Sequence, residues 1–211
     1  MKHAKILGLM AVVAAAVTAF ASAASASQLT SPENTIYTST IKATSEGATS
    51  LDGAFTTVTC NTSTVEGKVE KHGSGVTTGG NISTLTFGSC NFPVTVLKKG
   101  SLELHAITEV VTPDHTVHHL TCPDTKKTCT ATVTGSDSEL TIATSVGSCI
   151  FTTASTSLGV LTPTNDTTKT ATLDINSSKI PRTGGNFLCG SSGTWTGSYV
   201  VNTPDSLWVD G

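Results

Sequence analysis

The sequence predicts an all-β protein: an antiparallel β-sandwich, with a closed β-barrel as the alternative, stapled by disulfides. Three observations predict it. Apolar residues recur at two-residue spacing, helical spacing is scarce beyond residue 27, and six cysteines punctuate a chain rich in Thr, Ser and Gly. The β-branched side chains of Thr and Val suit a pleated surface. Charged residues make up 13% of the chain, well under the usual ~25%.

In chain order, residues 1–26 read as a secretory signal peptide. Lys2 and Lys5 form a basic start, Ile6 to Phe20 is apolar, and "ASA" occurs at 21–23 and again at 24–26. Cleavage is expected after Ala26, with Ala23 as the alternative. The apolar run is shorter than the roughly 20 residues that span a bilayer, and no second long apolar run follows. Two of the twelve basic residues leave with the signal, so ten face fifteen acidic ones, a formal charge of −5. That balance disfavours nucleic acid and anionic membrane as partners, because phosphate binding needs clustered Lys and Arg. Residues 27–211 are expected to form one exported domain, secreted or held in the cell envelope.

Residues 27–35 read as a frayed start. "SLELHAITEVV" (101–111) alternates Leu102, Leu104 and Ala106 against Ser101, Glu103 and His105. The segments 130–135, 138–146, 170–178 and 196–202 alternate in the same way. Turn signals separate such segments: "GG" at 79–80, "KKG" at 98–100, "PD" at 113–114, "GSD" at 135–137, "TND" at 164–166 and "TGG" at 183–185. Strands at about ten-residue spacing between such turns suit a sandwich or barrel.

The cysteines carry the most information. Cys60, Cys90, Cys122, Cys129, Cys149 and Cys189 are an even set in an exported chain, which points to three disulfides among fifteen pairings. Cys122 and Cys129 flank "PDTKKT" and are expected to bridge that loop. The other four form two look-alike kinds: "FGSCNF" with "VGSCIF", and "TCNTS" with "LCGSS". Joining one of each kind gives Cys60–Cys90 and Cys149–Cys189, and Cys60–Cys189 stays open as the competitor. Gly88 and Gly147 are expected to let the chain turn, with Phe92 and Phe151 beside the sulfurs. Thiolate zinc sites favour closer spacing than any pair here.

Sites with chemistry are few. His115 and His119 of "HTVHHL" would share one strand face, with His118 on the other; metal sites need three or four converging ligands. Glu103, His105 and Glu109 line the polar face of one strand. Two such carboxylates could serve glycoside hydrolysis, but alternation places polar residues there in any case. The serine-containing "HGSGV" and "CGSSGT" lack the strand–turn–helix setting of a nucleophile elbow. "TGGN" at 78–81 and at 183–186 lacks the Lys of a phosphate loop. Trp195, six residues after Cys189, is expected in the core. Tyr199 and Trp208 are the candidates for an exposed binding patch. No cofactor is called for.

The segments "TTVTCNTSTVEGKV", "ISTLTFGSCNF", "TLDINSSKIP" and "FLCGSSGTWTGSYVVNTPDSLWV" resemble small exported bacterial proteins of unknown function, especially from high-GC soil actinobacteria. A more distant similarity, near residue 60, is to the exported alkane-oxidation activator proteins of pseudomonads, which implies surface activity toward alkanes. The sequence thus leads to an exported, non-enzymatic binding or structural module for a cell-surface or apolar ligand. A carrier holding an apolar small molecule between its sheets is the alternative, and an extracellular hydrolase the third reading.

Overall fold

The computed structural model describes residues 28–30, 36–72, 77–107, 110–111, 117–118, 121–122, 131–145, 147–163, 170–205 and 207–210. The strands are β1 (Gln28–Thr30), β2 (Thr40–Ser45), β3 (Thr49–Asp52), β4 (Thr57–Lys68), β5 (Gly79–Cys90) and β6 (Val94–Lys98). Next come β7 (Ser101–Ile107), β8 (Val110–Val111), β9 (Val117–His118), β10 (Thr121–Cys122), β11 (Ala131–Ser136) and β12 (Glu139–Thr144). The last are β13 (Gly147–Thr152), β14 (Thr156–Thr162), β15 (Thr172–Gly185), β16 (Ser192–Thr203) and β17 (Trp208–Asp210). A single 3-10 turn at Phe187–Cys189 is the one helical element among the described residues. The all-β class is as the alternation predicts, and every pairing between strands is antiparallel.

Four long strands, β4, β5, β15 and β16, organise one twelve-stranded sheet into two tiers. In the first tier the pairings run β2–β4–β5–β7–β11–β14–β15–β16 and return to β2, an unbroken ring of eight neighbours. In the second tier β3 pairs with β4 and β16, the end of β15 pairs with β13, and β12 joins β13 to β6. A separate three-stranded sheet, β1–β17–β10, pairs only within itself.

Alternation decides what faces inward within each tier, and on β15 and β4 it slips by one residue between tiers. On β15, Leu173 and Ile175 are buried, then Ser178 and Ile180. The register shifts between Ile175 and Ser178, where Ser177 takes φ +58°. A bulge of this kind adds one residue and re-aims everything after it. β4 changes likewise from Val58 and Cys60 to Ser63.

Two expected turns lie inside strands. Gly79 and Gly80 open β5, and residues 183–185 close β15. The glycines at 79 and 80 are needed for close packing of backbones: a Cβ on Gly80 would stand 1.9 Å from the Lys68 carbonyl oxygen. The "KKG" and "GSD" turns are where they were expected, with Gly100 at φ +71° and Asp137 at φ +59°.

The chain bonds Cys60 to Cys90 and Cys149 to Cys189. Cys60 and Cys90 are directly opposed on β4 and β5, whereas Cys189 reaches β13 from the 3-10 turn. The expected Cys122–Cys129 bridge lies outside the described residues. Gly147 adopts φ +117°, as a turn requires, but at the first "GSC" the left-handed residue is Ser89 (φ +51°), not Gly88. Phe151 is buried and Phe92 packs against the core. Disulfides of this kind point to an oxidising, extracellular compartment. Among the described residues no helix is long and apolar enough to cross a membrane. The signal segment, residues 1–26, is outside them.

Candidate functional site

Each ring strand sends an apolar side chain inward: Ala43, Val65 and Ile82 on β2, β4 and β5, then Leu104 and Val133 on β7 and β11. Leu161, Leu173 and Val201 complete the circle from β14, β15 and β16. These side chains do not meet at the centre. They leave a cavity of about 120 Å3 with almost wholly apolar walls. Leu29 of β1 and Leu207, which precedes β17, also line it. Both are almost fully buried, so the small separate sheet contributes a clasp of two leucines to the ring interior.

Tyr199 also lines the cavity. Its hydroxyl donates to Ser63 Oγ at 3.0 Å, and the Ser63 amide donates to Ser45 Oγ at 2.9 Å. The edge-on contact of Trp195 with Tyr199 (centroids 6.3 Å apart) and of Phe87 with Trp195 (6.0 Å) continues the stack into the second tier. Trp195 and Phe87 there border a smaller void of about 30 Å3. The aromatic trio therefore forms a partition between two unequal interiors.

Tyr199, expected in an exposed patch, is instead 1% exposed. The cause is simple parity: Gly193, Trp195, Gly197, Tyr199 and Val201 share one face of β16, and that face is the core. Trp195 is buried, as expected. Trp208 is placed by its backbone alone, opposite Thr30; its part in a patch lies outside the described side chains. The exposed aromatics are elsewhere. Phe55 is 72% exposed and Phe187 79%, and the turn at 53–56 packs against Cys189 and Gly190. No charged residue occurs in 53–56 or 186–192.

Burial pushes the Tyr199 phenol up to about 12 from its ordinary 10, against a smaller opposing pull from its bond with Ser63. The unfolded phenol ionises first as pH rises. Stability is thus intact below pH 10 and falls between pH 10 and 12, by about 1.4 kcal/mol per pH unit. Desolvation raises Tyr37 too, so the diagnostic quantity is a difference. Tyr199→Phe should show a distinctly shallower alkaline loss in urea titrations than the parent protein. Equal slopes would mean that the phenol is not buried.

Glu103 lies on the ring's outer face, 2.8 Å from Lys71 Nζ and 3.7 Å from His105 Nε2. The hydrogen bond and charge of Lys71 hold its carboxyl below the usual range, the opposite direction from a general acid. Its proposed partner Glu109 lies outside the described residues, as do His115 and His119 and the side chain of His118. Among the described residues no group of three or more His, Cys, Asp or Glu could hold a metal.

Sequence reasoning raised an interior apolar site only as the alternative, without naming its lining, and missed the buried Ser63. Ser63 left a trace, a hydroxyl at an inward position just before Val65, which requires a buried partner. No family model, curated protein or solved structure matches this chain.

Proposed function

We propose that this is an exported, non-enzymatic carrier that holds a small apolar molecule inside its ring of strands. The cavity supports the proposal. Protein interiors pack to crystal-like density and contain few voids larger than a water molecule. Left empty, an apolar space of about 120 Å3 would cost up to about 3 kcal/mol at the measured cost per unit of enclosed cavity volume. Such a space stays dry and takes apolar guests. The folded chain therefore carries a penalty that a bound apolar molecule relieves. Export fits the disulfides and the basic, then apolar, then small-residue leader.

A second reading, a surface binding module, draws support from the exposed Phe55 and Phe187. One variant separates the two. Val133→Phe puts an aromatic ring into the cavity from β11, far from both phenylalanines in the strand order. Binding of a saturating apolar guest should raise the thermal midpoint of the parent protein. Val133→Phe should abolish that rise while keeping or raising the unliganded midpoint. A guest-dependent rise that survives Val133→Phe would place binding outside the ring and favour the surface module.

A further inference from the structure

Resting on the carrier function just proposed, we infer that the cavity selects one compact hydrocarbon of about six carbon atoms, without hydroxyl or carboxylate, and rejects chain lipids. Size gives the first half. An apolar cavity of about 150 Å3 in another protein accepts benzene or xenon. The present one, at about 120 Å3, is slightly smaller, so a single six-membered ring or a short branched alkane fills it. A sixteen-carbon chain is far larger than that volume, so most of it would lie outside the apolar walls that Leu29 and Leu207, 2% and 1% exposed, help to form.

Polarity gives the second half. Four lining residues carry a polar side chain: Lys68, Thr78, Asn81 and Tyr199. Tyr199 spends its proton on Ser63. The Asn81 amide donates to Glu70 at 2.7 Å. Lys68 is exposed, its ammonium directed to water as snorkelling side chains are. Thr78 is fully buried and already engaged. A guest hydroxyl would lose its bonds to water and meet hydrocarbon walls, at a cost that weakens binding by about ten-fold or more. A carboxylate would fare worse. The site discriminates by having nothing to offer a polar group, so shape and volume alone set its preference.

The test is a titration of the disulfide-intact protein, read by thermal midpoint and by calorimetry, with matched probes. Benzene and cyclohexane should bind one per chain and raise the midpoint. Phenol and cyclohexanol should bind about ten-fold more weakly or worse. Palmitate and hexadecane should give no saturable binding. Val133→Phe, or Ala43→Leu from the opposite wall should the first misfold, should remove the benzene response. Palmitate or hexadecane binding one per chain, and lost in the filled variant, would overturn the compact-hydrocarbon assignment while leaving the carrier function standing. So would phenol binding as tightly as benzene. No response to any probe would overturn the carrier function itself, and this inference with it.

Discussion

Trp195→Ala is expected to destabilise the protein by about 3–5 kcal/mol, the range for truncating a buried aromatic side chain. Trp195 is 8% exposed and stands edge-on to both Phe87 and Tyr199. Its loss removes two aromatic contacts, each contributing about 0.5–1.5 kcal/mol beyond area, and opens the partition between the two interiors. The small void beside it would enlarge, with nothing in the rigid ladders to collapse into it. In urea the midpoint should fall at nearly constant slope, and Trp195→Phe should recover most of the loss. A penalty under about 1 kcal/mol would show that the indole is not packed as described.

The second large effect belongs to the Cys149–Cys189 bridge. Its ends are forty residues apart in sequence, for which the chain-entropy relation gives about 4 kcal/mol. Cys149→Ser with Cys189→Ser should cost that order in denaturant. The bridge also secures the 3-10 turn, whose other anchors are local: Asn186 accepts from the Leu188 amide at 2.9 Å, and Arg182 Nε reaches the Gly190 carbonyl at 2.5 Å. Without the bridge the turn bearing Phe187 should become the first proteolysis site. The Cys60–Cys90 bridge closes a shorter span of thirty residues, and removing it leaves the β4–β5 ladder in place. Its loss should therefore register in global stability without local cleavage. Non-reducing peptide mapping comes first: a Cys60–Cys189 peptide would sink both expectations.

The strands that could be read from sequence are those buried on one face throughout. Residues 131–135 of "TATVTG" and all of "TGSYVVN" lie in β11 and β16, where inward parity never changes. Parity on β16 also contained the answer for Tyr199, four residues from a tryptophan already assigned to the core. β15 was harder, because the bulge at Ser177 reverses which residues face inward. Its "TGG" resembles a turn, yet Gly184 and Gly185 continue the ladder opposite Ile150 and Cys149. Look-alike "GSC" segments led to the two bridges because each lies near a strand end beside its partner. Ring closure left no local signal: Ser45 pairs with Tyr199 across most of the chain. Neither did the cavity, which is a property of the space between side chains whose individual periodicity is ordinary.

The four long strands have a thermodynamic consequence. β4, β5, β15 and β16 each give one half of their length to the ring and the other half to the second tier. Melting either tier alone would strip the partners from half of every long strand while the remainder stayed fixed, with frayed backbone left at the boundary. The boundary between tiers runs through covalent strands and not through a linker, so no natural domain edge exists there. Heat should accordingly find one cooperative unit, unfolding in a single step, so that any stabilisation of the ring should raise the stability of the second tier with it.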